Sequence, residues 1–424
     1  MSAATALGPS GRERRPLFAM LAADAVSITG NMLTLVAVPW FVLQTTGSAA
    51  KTGLTAFFTT LPVILSASLG GTIVERLGYR RASIVADIAS GLSVVLIPVL
   101  YYTVGLAFWQ LLVLVFAGAL LDAPGQTARS SLLPDLAAVA GMRIERASSA
   151  YDGVSRGARM VGGLLAGVLI ATIGPAQVLF VDAGTFLVSA LIVRLLIPDV
   201  HGRPNEGRQP YLRALREGLS FIWRDRLLRA IVLMVMVTNM LDTAMFSVML
   251  PVYAARVLGS PIQLGIIISA FGVGALAGTI VFGAIGHRLP RRITYGLAFL
   301  LVGSPRFFVL AAFPGLGVIV VVMVVAGIAC GAINPILSTV EYERVPSGMR
   351  ARVFGTVTAG VWAAMPIGAL LAGSLTEVVG IRAALVAAGV AYLAATLSPI
   401  LFPSWREMDA GPRTASRTDA PEAA

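Results

Sequence analysis

The chain has 424 residues, of which 57% are hydrophobic and only 12% are charged, and its mean hydropathy is +0.85. Soluble domains carry about 25% charged residues, so a soluble chain of this composition would lack the polar surface to cover its core. The formal net charge is +11, but the arginines lie in short clusters between apolar runs and form no basic face with interleaved aromatic residues. The composition therefore predicts an integral membrane protein and excludes a nucleic-acid partner.

Apolar runs long enough to cross a bilayer, which takes about 20 residues per helix, recur along the whole chain. They cover approximately residues 17–43, 53–74, 82–103, 106–123, 150–172, 177–197, 230–250, 262–285, 293–313, 315–337, 353–376 and 381–402. These runs are apolar on all sides, whereas the strands of a membrane barrel alternate polar and apolar residues. We therefore expect an all-α fold of twelve transmembrane helices.

Arginine placement predicts the orientation of these helices, because positive charge accumulates in cytoplasmic loops. Both tails and the connections after every second span carry arginine clusters, whereas the opposite side holds only Lys51, Arg256 and Arg382. We expect a multi-pass protein of the cell membrane with both termini in the cytoplasm. The predicted parts are a tail (1–16), a six-helix bundle (17–197), a central cytoplasmic loop (198–229), a second six-helix bundle (230–402) and a tail (403–424).

The central loop combines two kinds of sequence. Its start, His201 to Pro210, is rich in glycine, proline and charge, which is typical of a flexible linker. Leu215, Leu219 and Ile222 then recur at helical spacing with arginines between them. This pattern predicts an amphipathic helix on the membrane surface.

The two halves of the chain resemble each other in the loop after their second span. Residues 71–80 read GTIVERLGYR, and residues 283–292 read GAIGHRLPRR. The string LLAG likewise occurs at 164–167 and again at 370–373. Two parallel six-span repeats are an architecture of secondary transporters.

With this loop the chain resembles the major facilitator superfamily over residues 15–402. The family motif Gly-x-x-x-Asp-Arg-x-Gly-Arg-Arg is matched here by Gly71, Glu75, Arg76, Gly78, Tyr79 and Arg80, with glutamate for aspartate and tyrosine for one arginine. The strings PGQTARSSLLP at 124–134, FVDAGTFL at 180–187 and EGLSFIWRD at 217–225 are similar to the branch of macrolide-efflux and enterobactin-exporter proteins. The resemblance implies proton-coupled export of an amphipathic small molecule.

The loop motif is also a candidate conformational latch. Its residues are Gly71, Glu75, Arg76, Gly78, Arg80 and Arg81. The glycines permit a tight turn, the acid can accept bonds from a helix N-terminus, and the arginines can bridge to acids or to helix C-terminal carbonyls. The alternative is plain anchoring of the loop in the cytoplasm by positive charge.

A few polar residues inside the spans are candidates for proton coupling or substrate contact. Asp24 and Asn31 lie two turns apart in span one, and Asn239 and Asp242 occupy the corresponding region of span seven. Carboxylates in hydrocarbon are expensive and usually face a cavity or relay protons. The alternative for Asp24 is a solvated or paired acid near the interface. Arg159 in span five is a candidate contact for an anionic substrate, or it snorkels to the inner interface.

Two further arginines are harder to place. Arg129 falls beyond the apolar run at 106–123, so we expect it at or past the cytoplasmic end of span four. Coupling schemes that need an arginine inside that span would then not apply. Arg306 follows Pro305 in span nine and either lines the pathway or marks a broken helix near the outer surface.

Trp40, Phe57, Phe58 and Trp362 are candidates for an aromatic wall around an apolar substrate, the alternative being packing or lipid contact. No P-loop accompanies Lys51, which disfavours ATP drive. One cysteine and two histidines leave little material for a metal site, and no cofactor is predicted. The expected partners are a small-molecule substrate, protons and the bilayer. A metabolite importer, a membrane enzyme and a sensor of the same fold stay open as alternatives.

Overall fold

The computed structural model describes residues 14–199 and 211–409. Every regular element in these two ranges is helical. The helices up to the central loop are α1 (Arg15–Thr46), α2 (Ala49–Leu77), α3 (Tyr79–Thr103), α4 (Phe108–Val139), α5 (Ile144–Ile173) and α6 (Pro175–Leu196). After the loop come α7 (Tyr211–Arg224), α8 (Arg226–Ala244), α9 (Leu250–Tyr253), α10 (Pro261–Ile285), α11 (Arg291–Val302), α12 (Ser304–Ala311), α13 (Leu316–Cys330), α14 (Ile333–Arg344), α15 (Arg350–Trp362), α16 (Met365–Thr396) and α17 (Ser398–Leu401).

Within the described ranges, 11 helical stretches are long and apolar enough to cross a membrane. The last of them, Arg352–Leu401, has 50 residues. At a rise of about 1.5 Å per residue, such a stretch is far longer than one bilayer crossing needs. Its backbone leaves the helical conformation at Gly380, where φ is 81°, so the stretch holds one span on each side of this glycine. The all-α, twelve-span membrane fold expected from the sequence is confirmed.

The spans themselves are interrupted in several places. α8 runs into a π-helical turn, Met245–Met249, and a second one, Ala254–Leu258, follows α9. The helix of span nine breaks at Gly303, whose φ of −98° and ψ of −84° separate α11 from α12. Interruptions of this kind are frequent where membrane helices form binding sites.

The chain forms two compact units. Unit one consists of Met1–Phe41 and Phe58–Glu206, and unit two of Val42–Phe57 and Gly207–Ala424. The end of α1 and the start of α2 therefore belong with the second unit. The division of the chain at 198–229 into two six-helix bundles stays a prediction.

Each unit has its own buried core. In unit one, α3 packs against α4 and α6, and Met20, Leu132 and Val193 are buried together at one end. In unit two, α10 packs closely on α13. A Cβ atom on Gly278 would lie only 2.0 Å from the backbone oxygen of Ile328. Glycine thus allows the two backbones to approach, as small residues commonly do between membrane helices.

α7 covers the segment predicted to be an amphipathic helix. It packs on α15, and a Cβ on Gly218 would lie 2.2 Å from Thr356 Oγ1. Ile222 is buried, whereas Leu219 and Trp223 are exposed. The residues predicted as a flexible linker, 201–210, lie outside the described ranges.

Candidate functional site

The centre of unit one is Arg129, on α4. Its side chain is fully buried. The guanidinium contacts two carboxylates, with Nε 3.2 Å from Asp24 Oδ1 and Nη1 2.8 Å from Asp87 Oδ1. Nη1 and Nη2 also donate to the hydroxyls of Ser83 and Ser27, at 3.3 and 3.2 Å. One arginine thereby joins α1, α3 and α4.

Two further serines hold the outer oxygens of the same carboxylates. Ser155 Oγ on α5 donates to Asp24 Oδ2 at 3.2 Å, and Ser189 Oγ on α6 donates to Asp87 Oδ2 at 2.8 Å. Both aspartates are buried. We call Asp24, Asp87, Arg129 and the serines that contact them the Arg129 network. It contains two carboxylates for one guanidinium.

The helix of span four is longer than the apolar run at 106–123, and the place of Arg129 at the cytoplasmic end of the span stays a prediction. α4 continues to Val139, and Arg129 lies inside it. The apolar run seemed to end at 123 because the next turns contain Gln126, Thr127 and Arg129, which lower the local hydropathy. Asp122, Gln126 and Arg129 recur at helical spacing, which is the pattern of a polar stripe facing the protein interior. That spacing is the signal by which the sequence could have placed Arg129.

Asn31 does not join this network, although it lies on the same helix as Asp24. Its Nδ2 donates to Asp122 Oδ2 at 3.1 Å, and Gln126 Nε2 donates to the same oxygen at 2.6 Å. Asp122 Oδ1 is buried and meets no donor among the described residues. Asp24 therefore pairs with Arg129, whereas Asn31 contacts a different acid, Asp122.

A fourth acid of unit one, Asp182 on α6, is fully buried and bonded by hydroxyls. Thr34 Oγ1 donates to its Oδ2, and Thr185 Oγ1 donates to its Oδ1 at 3.2 Å. A Cβ on Gly30 would lie 2.3 Å from Asp182 Oδ1. Glycine at that position lets α1 approach the carboxylate closely.

Unit two contains a second buried arginine, Arg306 on α12, whose side chain is 0% exposed. Its Nη2 donates to Asp242 Oδ1 at 2.5 Å. The guanidinium also lies over the rings of Phe246 and Phe271, 5.3 and 5.5 Å from their centroids. Nε and Nη1 meet no acceptor in the described ranges. Of the two expectations for Arg306, the broken helix is present at Gly303, but the arginine itself is buried against a carboxylate.

Asn239 does not share this pair with Asp242. Its Nδ2 donates instead to the backbone oxygen of Val361 on α15, at 3.2 Å. The carboxyl side chain of Asp242 is 30% exposed although its arginine is not. The carboxylate is therefore the part of the ion pair that an incoming molecule can reach.

A polar clamp holds the start of α2 within unit two. Glu377 Oε2 on α16 accepts a bond of 2.8 Å from the backbone N–H of Ala49, where the positive end of the α2 dipole favours an anion. Arg256 Nη2 lies 3.6 Å from the same oxygen and donates to the backbone oxygen of Gly47 at 2.8 Å. We call Gly47, Ala49, Arg256 and Glu377 the Glu377 clamp.

The candidate latch is only partly described. Gly71, Glu75 and Arg76 lie in α2, but their side chains are outside the described part of the structure. Gly78 has a φ of 79°, which favours glycine, in the turn to α3. Arg81 is exposed. The latch function of this loop stays a prediction.

Arg80 makes a contact that has a counterpart in the second half of the chain. Its Nη2 donates to the backbone oxygen of Arg194, at the end of α6, at 2.5 Å. Arg292, at the matching position of the repeat, donates to the backbone oxygens of Pro399 and Ile400, beyond α16, at 2.8 and 3.3 Å. In both halves the motif arginine binds the carbonyls that end a helix, which is one of the two roles expected for it.

The remaining candidates are scattered. Arg159 is exposed on α5. Trp40 is 5% exposed and Trp362 is 38% exposed, whereas Phe57 and Phe58 are half-buried. The ring of Phe58 contacts that of Phe116 edge to face, with 6.2 Å between centroids. A role for these residues in substrate contact stays a prediction.

The helical fold, the interrupted spans and the buried ion pairs define a multi-pass membrane transporter. The family model of the Major Facilitator Superfamily matches residues 20–259 and 232–423. The chain belongs to this superfamily, and the resemblance predicted from its loop motif is confirmed.

Relatives with described functions cover nearly the full length of the chain. It is 35% identical to the multidrug efflux pump Tap of Mycobacterium tuberculosis over 405 residues, 94% of this chain and 96% of the pump. It is 20% identical to macrolide efflux protein A of Streptococcus pyogenes over 370 residues, 86% of this chain and 90% of that protein. The crystal structure of the nucleoside transporter NupG superposes with a TM-score of 0.73 at 13% identity, covering 91% of this chain and 98% of NupG.

Proposed function

We propose that this protein exports amphipathic drug-like molecules in exchange for protons, and that the Arg129 network carries the proton. The observation on which the proposal rests is the unequal charge of that network, in which two buried carboxylates contact one guanidinium. The similarity to an efflux pump along 94% of the chain supports the direction of transport and the substrate class.

The proton enters the proposal through charge balance. Two ionised carboxylates beside one guanidinium leave one surplus negative charge inside the membrane, where an unpaired charge is expensive. A single proton on Asp24 or Asp87 removes that surplus. Hydration of the network from one side at a time would let the proton bind on one side and leave on the other, while Arg129 holds the two carboxylates together.

Alternating access needs contacts that close one side of the pathway, and the Glu377 clamp has the properties of such a contact. It ties the connection between α1 and α2 to α16, and its ion pair is only partly buried. With both termini in the cytoplasm, as we propose from the arginine clusters, the clamp would lie at the outer end of the helices. Its release would open that end.

Import of a metabolite is the second candidate within the transporter class, because the chain shares its fold with the nucleoside transporter NupG. We propose efflux in preference to import because both named relatives in the sequence comparison are efflux proteins. We also propose transport without catalysis, because the relatives named above are efflux proteins.

The test uses inverted membrane vesicles energised by respiration and a radiolabelled macrolide. We expect the vesicles to accumulate the macrolide, and a protonophore to abolish this accumulation. Asp24→Asn removes the carboxylate that bonds Arg129 Nε. This variant should reduce gradient-driven accumulation more than tenfold while the protein still reaches the membrane.

The matched control is Asp152→Asn, which removes an exposed acid on α5. It should accumulate the macrolide at the unmodified rate. Accumulation that the protonophore leaves unchanged would contradict proton coupling, and undiminished accumulation by Asp24→Asn would remove the Arg129 network from the mechanism.

A further inference from the structure

A groove of about 740 Å³ lies in unit two where α8 begins and α17 ends. Arg226 and Arg229, in the first turn of α8, line its charged end. Its sides are apolar and consist of Ala230, Leu233, Met234 and Val237 on α8 with Ala394 and Ala395 on α16. From Arg226 to Val237 the groove follows α8 for roughly 16 Å, at about 1.5 Å per residue. It therefore combines a basic end with an apolar channel.

Ion pairs connect the elements that form the groove. Asp225 caps α8 by accepting bonds from the backbone N–H groups of Leu227 and Leu228, at 2.9 and 3.0 Å. Arg344 donates to Asp225 Oδ2 and to Glu407 Oε2, both at 2.6 Å. The 3₁₀ turn Pro403–Met408, which lines the groove, is thereby tied to the start of α8. The carboxylate of Glu407 also lines the groove, but it already binds Arg344.

Two hydrogen-bond donors on the groove lining have no acceptor in the described ranges. Trp405 is fully buried and its Nε1 is unpaired, and the same holds for Ser398 Oγ, although Ser398 is only half-buried. A buried donor without a partner is unfavourable by about 1–3 kcal/mol. Trp405 belongs to the groove lining, so its fluorescence can report on a molecule bound there.

The basic end lies where the headgroups of a bilayer would be. Arg229 donates to the backbone oxygen of Trp223, and its guanidinium is 5.7 Å from the centroid of the Trp223 ring. That ring is 52% exposed at the end of the amphipathic helix α7, and tryptophan is enriched at membrane interfaces. The apolar flank is open as well, with Leu233 43% and Phe402 57% exposed.

We propose that this groove binds an anionic glycerophospholipid. The phosphodiester contacts Arg226 and Arg229, and one acyl chain follows α8 and α16 into the membrane. Basic residues at the ends of membrane helices bind anionic headgroups in this way, and neutral lipid would satisfy the apolar channel but leave the arginines without an anion.

The test is quenching of Trp405 fluorescence by lipid. In a variant that keeps Trp405 and has phenylalanine at the other four tryptophans, the protein in detergent is titrated with phosphatidylglycerol or phosphatidylcholine carrying the same brominated acyl chains. We expect phosphatidylglycerol to quench Trp405 at a lower lipid concentration. Arg226→Gln should raise the phosphatidylglycerol concentration that gives half-maximal quenching about fivefold, and Arg226→Gln combined with Arg229→Gln should raise it about 25-fold. These values assume about 1 kcal/mol of binding free energy per basic residue.

Arg288→Gln removes an exposed arginine elsewhere in unit two and should leave the titration unchanged. In the protein that keeps Arg226 and Arg229, a higher salt concentration should weaken quenching by phosphatidylglycerol but not by phosphatidylcholine. This measurement keeps the test valid if an arginine variant fails to fold. Equal quenching by the two lipids, or an equal effect of Arg288→Gln, would overturn the proposal. Displacement of the lipid by glycerol phosphate at equal concentration would do so too, because it would show an ion site without an acyl channel.

Discussion

Among the described residues, each unit contains one fully buried arginine, but the two arginines have different surroundings. Arg129 in unit one meets two carboxylates and two hydroxyls, so all three of its nitrogens have partners. Arg306 in unit two meets one carboxylate, that of Asp242, and two aromatic faces, and its Nε and Nη1 lack acceptors in the described ranges.

This difference in charge balance indicates which of the two units can accommodate a titrating group. A one-to-one ion pair such as Arg306–Asp242 is neutral when both groups are charged, so a proton would unbalance it. The Arg129 network has one carboxylate in excess, and a proton balances it. The surplus acid and not the buried arginine itself therefore distinguishes the unit that we propose for proton coupling. The two arginines also predict different responses to substitution.

The largest effect is expected from Arg129→Leu. Removing one partner of a buried ion pair typically destabilises by about 3–5 kcal/mol, because it leaves uncompensated charge inside the protein. Here two carboxylates lose their cation at once. We expect a strongly lowered thermal unfolding midpoint of the purified protein in detergent.

The control for this prediction is the triple change Arg129→Leu, Asp24→Asn and Asp87→Asn, which removes the carboxylates as well. It should recover part of the lost stability, since neutral amides do not need a cation. An unfolding midpoint of Arg129→Leu equal to that of the unmodified protein would contradict the network.

A somewhat smaller effect is expected from Asp242→Asn. It leaves Arg306 buried without its carboxylate. We expect the protein to be destabilised by about 3 kcal/mol, the lower end of the range for broken buried ion pairs, because the aromatic faces of Phe246 and Phe271 still contact the guanidinium. Asp242→Asn should lower the unfolding midpoint but keep transport dependent on the proton gradient, because the surplus carboxylate lies in unit one. Loss of gradient dependence in this variant, with the folded protein present, would move proton coupling to unit two.

The smallest effect is expected from Phe271→Leu. It removes one of the two rings over the Arg306 guanidinium, and a desolvated cation–π contact contributes about 2 kcal/mol. We expect a modest fall of the unfolding midpoint. Phe116→Leu is the matched control, because that ring contacts the aromatic ring of Phe58. An equal fall for both variants would mean that the ring contributes only apolar packing.

The sequence could predict the class of fold because membrane insertion depends on local composition. Each apolar run had to be long enough to cross the hydrocarbon core. The sequence already separated the runs at 353–376 and 381–402, and in the structure Gly380 breaks the helix between them. The motif arginines Arg80 and Arg292 were likewise detectable from their repeated spacing, and both end on helix-terminal carbonyls.

The candidate site was less predictable. Asp24 stood out as an acid in an apolar run, but its partner Arg129 is 105 residues away in sequence. Hydropathy averaging treats a cluster of polar residues as the end of a span. In the structure the polar residues of α4 contact partners on neighbouring helices, and the helix continues past them to Val139.

The amino-acid sequence by itself determined that this chain crosses the membrane repeatedly as helices, that its two halves are repeats, and which superfamily it belongs to. These properties follow from the composition of short segments and from local motifs. The pairing of the buried charges could be seen only in the folded structure. Asp24 and Asp87 share Arg129, Asp242 pairs with Arg306, and Asn31 contacts Asp122. Such pairing depends on how helices far apart in sequence approach one another, because a buried charge is stabilised by whichever partner the packing places within reach.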